Sequence, residues 1–182
     1  MIEAIVDSIR INVLDRSRIL LLRELAGDRH LPIWIGEFEA HAIVLEMQGT
    51  TPQRPMPYDL MMNMVQDLDA RVIRVVVNDL SHDIYYARVV LQRGGDIIEL
   101  DSRPSDAVAI AVRAGCPIFV DDTVMDRAGV SIEDEDEIEE GALPDARSEE
   151  PTHRNEAEEE GLNIFRDFIN TIEFDDRDQR SN

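Results

Sequence analysis

Three strand-like runs stand within the first 35 residues, each parted from the next by a few turn-forming residues, and helical spacing follows directly after them. Ile9, Ile11 and Val13 alternate with Ser8, Arg10 and Asn12, the period-two pattern of a half-buried strand that also takes in Ile5. Asp15-Arg16-Ser17 turns into a second run from Ile19 to Leu25, and Ala26-Gly27-Asp28-Arg29 turns into a third from His30 to Ile35. Glu37 to Met47 then spaces Phe38, Ala42 and Leu45 as a helix does, opening after Gly36 and closing at Gly49. Adjacent strands followed by helices predict an α+β domain, a mixed β-sheet covered by helices.

The second half follows a similar plan. Residues 50–58, with three prolines, read as a stiff loop, and helical spacing resumes from Asp59 to Ala70 through Leu60, Met64, Val65 and Leu68. Met56, Met61, Met62 and Met64 read as core filler. Strands are expected from Arg71 to Val77, Ile84 to Leu91 and Ile97 to Leu100, with Gly94-Gly95 as a turn. A short strand from Pro117 to Val120 and a turn of helix from Asp122 to Ala128 complete the body.

The junction after Leu100 is denser in polar groups than a helix start requires. In DSRPSDAVAIAVRAG, Ser102 suits an N-cap, Pro104 a first helical turn, Asp106 the positive end of the dipole and Gly115 a stop. Arg103 is left over, a planar cation beside exposed backbone N–H groups. Capping explains most of the stretch, and anion binding is the second reading.

Charge divides the chain. All 18 basic residues are arginine; residues 1–130 hold 20 acidic and 13 basic side chains, and residues 131–182 hold 19 and 5. Bulk attraction to nucleic acid is therefore not expected. Residues 131–161 carry 14 acids and hardly a large apolar group, which predicts a disordered linker between the body at 1–130 and a C-terminal segment at 162–182. In that segment Leu162, Phe165, Phe168, Ile169 and Ile172 form one helical stripe, so an amphipathic helix is expected to dock on the body of its own or a neighbouring subunit. No apolar run approaches a membrane span, and MIEAIVDSIR lacks the features of a signal peptide, so the expected location is cytoplasmic with no membrane partner. Cys116, the lone cysteine, reads as a small packed residue, and His30, His41, His82 and His153 share no metal-ligand spacing.

Three blocks, LPIWIGEFEAHAI at 31–43, RPMPYDLM at 54–61 and SRPSDAVAIAVRAGCPI at 102–118, resemble the signature blocks of the bifunctional nuclease family, in that family's order and spacing. The resemblance implies an α+β fold that self-associates as a homodimer or higher oligomer, and a nuclease activity on DNA and RNA. One position departs from it: the family usually has histidine before the Asp-Leu of the second block, and this chain has Tyr58, a poor general base near neutral pH.

Phosphodiester cleavage needs charge stabilisation on the phosphoryl oxygens and an activated nucleophile, supplied by arginine, by carboxylate-held metal, or by both. The blocks offer Glu37, Glu39, Arg54, Asp59, Arg103 and Asp106 as catalytic candidates, with Ser102, Ser105, Arg54 and Arg103 as substrate-binding ones. A divalent metal such as Mg is the cofactor this chemistry would accept, although the ligands do not announce themselves. The bland readings are a decorated first helical turn for Glu37 and Glu39, an N-cap for Asp59, and structural ion pairs for the two arginines. The rival to a nuclease is a binding module that uses the same cleft for a phosphate-bearing ligand or a protein partner.

Overall fold

The computed structural model describes residues 1–11 and 17–131. Strands β1 (Ile2–Ile11), β2 (Arg18–Glu24) and β3 (Arg29–Ile35) form an antiparallel meander, followed by α1 (Glu37–Met47) and α2 (Pro57–Asp67). A second meander of β4 (Ala70–Ser81), β5 (Ile84–Arg93) and β6 (Asp96–Ser102) leads into α3 (Pro104–Ala114), then β7 (Ile118–Val120), α4 (Asp122–Ala128) and β8 (Val130–Ser131). β7 joins the meanders, parallel to β4 and antiparallel to β1, giving one mixed sheet in the order β6-β5-β4-β7-β1-β2-β3-β8. The α+β expectation is met.

One face of this sheet carries the core. Leu20, Leu22, Leu31, Ile33, Val75, Val77, Val89 and Leu91 meet Ala42 and Ile43 of α1, Tyr58 of α2, Val108 and Ala111 of α3, and Val124 and Met125 of α4. Burying such side chains contributes about 1.5–3 kcal/mol each. The small residues of α3 let it lie close to the sheet, and its Gly115 ends the helix at φ 61, a left-handed cap that a residue with a Cβ adopts only with strain. Cys116 packs against the core, and burial pushes its thiol up, away from a reactive thiolate.

Four details differ from the sequence expectation. A bulge between Val6 and Ser8 breaks the alternation of β1, so Ile9 packs on the core while Ile5 is 37% exposed on the other face. α2 starts at Pro57 rather than Asp59, because a proline at the first helical position gives up no hydrogen bond; Asp59 is then not the N-cap, and its Oδ2 accepts from the Met56 backbone N–H at 2.8 Å. α2 ends at Asp67, and Ala70 already belongs to β4, since Asp69 turns the chain at φ 56. The methionines divide: Met56 and Met62 pack on the core, whereas Met61 and Met64 are exposed. Val13, the Asp15-Arg16 turn, the acidic linker and the C-terminal amphipathic helix lie outside the described residues. Among the described residues no helix is long and apolar enough to cross a membrane.

Candidate functional site

The N-termini of α1, α2 and α3 supply the polar groups that the three sequence blocks share. Arg103, not Ser102, is the N-cap of α3, and its side chain makes no cap bond to its own helix. It turns instead to two carboxylates. Nε donates to Asp106 Oδ2 at 2.7 Å, Nη2 donates to Asp106 Oδ1 at 2.9 Å, and Nη2 also reaches Glu39 Oε1 at 2.8 Å. This two-pronged geometry is the strong form of the arginine–carboxylate bond, and the two acids together raise the guanidinium's already high pKa further, Asp106 the more. Yet the Arg103 side chain is 65% exposed, and its Nη1 has no partner among the described residues, so donor capacity remains for an incoming oxyanion.

Glu39 comes close through Gly36. A Cβ at position 36 would overlap Glu39 Oε2, so the glycine leaves room for the carboxylate over the start of α1. Glu37, one residue from Gly36, goes elsewhere: it pairs with Arg18 at 2.9 Å and is exposed. The two acids of the first turn thus have different partners, and Glu39 alone joins Arg103.

Tyr58 stands where the resemblance leads one to expect histidine. Its hydroxyl donates to Asp106 Oδ1 at 2.7 Å, and the residue is buried. Burial first, and the bond to Asp106 second, push the phenol far above its ordinary value. It stays protonated at neutral pH and acts as a donor that orients Asp106, not as a base. Asp106 therefore accepts from Arg103 on both oxygens and from Tyr58 on one.

Beside this cluster lies a second one that the sequence reading missed. Arg113, at the far end of α3, donates from Nε to Asp59 Oδ1 at 2.7 Å, from Nη1 to the Ala109 carbonyl at 3.0 Å and from Nη2 to the Ala42 carbonyl at 3.2 Å. Its guanidinium lies 5.3 Å from the centre of the Tyr58 ring, and its side chain is 6% exposed. Asp59, held by Arg113 and by the Met56 N–H, has its carboxyl below the usual value. An arginine in a last helical turn ordinarily reads as a dipole complement. The available signal was its place one turn after Ala109, on the buried side of α3.

Of the sequence candidates, the structure brings Glu39, Arg103 and Asp106 together, with Tyr58. Asp59 joins Arg113 next door. Arg54 is exposed in the proline loop and contacts no charged partner among the described residues. Ser105 is buried in the first turn of α3, and Ser102 closes β6 with its Oγ enclosed and without a hydrogen-bond partner. Among the described residues no group of three or more histidine, cysteine or carboxylate side chains is gathered closely enough to hold a metal ion.

Residues 20–133 match the family model of the bifunctional nuclease domain. An uncharacterized protein of Mycobacterium tuberculosis is 38% identical over 174 residues, which cover 96% of each chain. Bifunctional nuclease 1 of Oryza sativa subsp. indica is 30% identical over 117 residues, 63% of this chain and 35% of that one. Bifunctional nuclease 2 of Arabidopsis thaliana is 33% identical over 112 residues, 60% and 34% of the two chains. The similarity to the plant proteins thus spans about a third of their length.

Proposed function

The chain belongs to the bifunctional nuclease domain family, and on that premise we propose that it hydrolyses phosphodiester bonds in DNA and RNA at the Glu39–Arg103–Asp106–Tyr58 cluster. The observation that carries the reading is Arg103: held by two carboxylates, yet 65% exposed and with Nη1 unpaired among the described residues. A guanidinium fixed in that way is ready to bind a phosphoryl oxygen without first losing side-chain freedom, and charge stabilisation of this kind is worth about 10²–10³ in rate.

The two acids divide the remaining work. Asp106 is saturated by Arg103 and Tyr58 and serves to orient the arginine. Among the described residues Glu39 accepts one side-chain bond, on Oε1, so Oε2 is the oxygen available to take a proton from an attacking water. Tyr58, kept protonated, cannot replace an imidazole as base, and in this reading Glu39 takes the base role. If a divalent cation such as Mg takes part, Glu39 is the carboxylate the cluster would offer it, since Asp106 is engaged by Arg103 and Tyr58 and magnesium can sit on one carboxylate and its substrate's phosphates. It would supply further charge stabilisation on the phosphoryl oxygens.

The test is a cleavage assay on the purified chain with single-stranded DNA and RNA, with and without chelator, repeated on Arg103→Ala and Glu39→Gln. Both variants should lose about 10²-fold or more in rate. Undiminished cleavage by Arg103→Ala would move the activity to another site. Nucleic-acid binding without cleavage by the unaltered chain would favour the binding-module reading.

A further inference from the structure

α1 buries Ala40, Ala42 and Ile43 and leaves Phe38 outside. Phe38 is 84% exposed, more than any other large hydrophobic side chain among the described residues, and it does not pack against the core. A lone exposed apolar residue needs no explanation of its own. The neighbours of this one supply one.

Glu39 and Glu46 mark the side of α1 that faces α3, because Glu39 reaches Arg103 at 2.8 Å and Glu46 reaches Arg113 at 3.9 Å. Ala42 lies between them on the same stripe, and Phe38 precedes Ala42 by one turn, so Phe38 flanks that stripe on its exposed edge. Its Cα is about 3.8 Å from that of Glu39, and the Cα–Cβ bonds of a helix lean toward its N-terminus. The ring therefore stands at the end of the helix layer where Arg103 caps α3.

Charge says what such a ring is needed for. Residues 1–130 hold 20 acids against 13 arginines, and Phe38 itself lies between Glu37 and Glu39, so phosphate attraction alone gives a polynucleotide little hold near Arg103. Stacking gives hold without positive charge and without regard to sequence, since every base has a π-face. Building on the phosphodiester reading of the Arg103 cluster, we infer that Phe38 is the base-stacking residue of the same site and that its substrate is unpaired nucleic acid. A strand whose phosphate lies on Arg103 lays a neighbouring base on the Phe38 ring. A duplex cannot do so, because its bases are stacked on each other and one would first have to be flipped out.

Fluorescence anisotropy of the full chain with a labelled oligodeoxynucleotide tests this, since binding is read without cleavage. The single strand should bind about tenfold more tightly than its duplex, and also than an abasic strand of equal length, which carries the phosphates and no bases. Phe38→Ala should weaken single-strand binding about tenfold and leave abasic binding unchanged, while Phe38→Trp should keep the single-strand affinity. Trp34→Ala is the control: Ile33 and Ile35 pack on the core, so the exposed Trp34 between them lies on the face of β3 away from the helices, and its loss should change nothing. In a cleavage assay Phe38→Ala should raise KM for the single strand and leave kcat nearly unchanged. Equal affinity for single strand and duplex, single-strand binding indifferent to Phe38→Ala, or an equal loss with Trp34→Ala would each overturn the assignment. Phe38-dependent binding by a chain that cleaves nothing would uphold the stacking role and remove the hydrolytic reading, so the two fail separately.

Discussion

Arg103 and Arg113 stand at the two ends of α3, and each holds a carboxylate at 2.7 Å, yet one side chain is 65% exposed and the other 6%. The same bond does different work in the two places. Arg113 is enclosed by elements it joins: Asp59 of α2, the Ala42 carbonyl of α1 and the Tyr58 ring. All its strength goes into holding α1, α2 and α3 together. Arg103 faces water, where an ion pair contributes about 0–1 kcal/mol, so its acids fix an orientation more than they stabilise the fold. One helix thus sets an enclosed cation behind an exposed one, and Tyr58 touches both clusters, stacking on Arg113 and donating to Asp106.

The comparison is broken most directly by Arg113→Ala. The substitution strands Asp59 beside a cavity and uncovers the Tyr58 ring, and removing one member of a buried pair costs 3–5 kcal/mol. Since the Asp59 side chain is 27% exposed and regains some water, about 3 kcal/mol is expected. Urea unfolding measures it. A loss below about 1 kcal/mol would place Arg113 with Arg103 as a surface pair.

Acid separates the two clusters next. Arg113 first, and the Met56 N–H second, hold the Asp59 carboxyl below its ordinary 3.8. A carboxyl whose pKa is lower in the folded state than in the unfolded one adds stability that is complete above the unfolded value and drains away as pH falls through the folded value. The stability difference between the unaltered chain and Asp59→Asn should therefore be constant above about pH 5 and shrink below about pH 4. Denaturant midpoints across that range would show it, and a difference that grows toward low pH would contradict the assignment.

These two clusters also mark how far the sequence could be read. Period-two and helical spacing gave the strands and helices, because burial of one face imposes those periods. The bulge at Asp7 was not legible, since one extra residue in a strand leaves no mark on composition. Nor was the division of the methionines, which are equally apolar whether they face the core or the outside. At the site, Arg103 and Asp106 are three residues apart and their meeting is nearly local. Glu39 is 64 residues away from Arg103, and only the sheet and the packing of α1 against α3 bring it near. Arg113 was missed for a different reason: charge at a helix C-terminus has an ordinary explanation, and only three-dimensional packing shows that this one is enclosed.

The smallest effect belongs to Arg103→Ala measured for stability. Its three bonds to two carboxylates look strong on paper, since they are charged, short and partly bidentate. Exposure decides otherwise. Water replaces the guanidinium as donor to Glu39 and Asp106, Tyr58 continues to donate to Asp106, and α3 keeps its start because Arg103 makes no side-chain cap bond. Removing the cation does leave two acids near each other without their shared counterion, a repulsion that salt screens. The net loss should be within about 0.5 kcal/mol in urea at moderate salt, slightly larger at low salt, while cleavage falls by about 10²-fold. A residue that costs activity and almost no stability is one whose contacts prepare it for a ligand; a loss of about 2 kcal/mol or more would show that Arg103, like Arg113, holds the helices together.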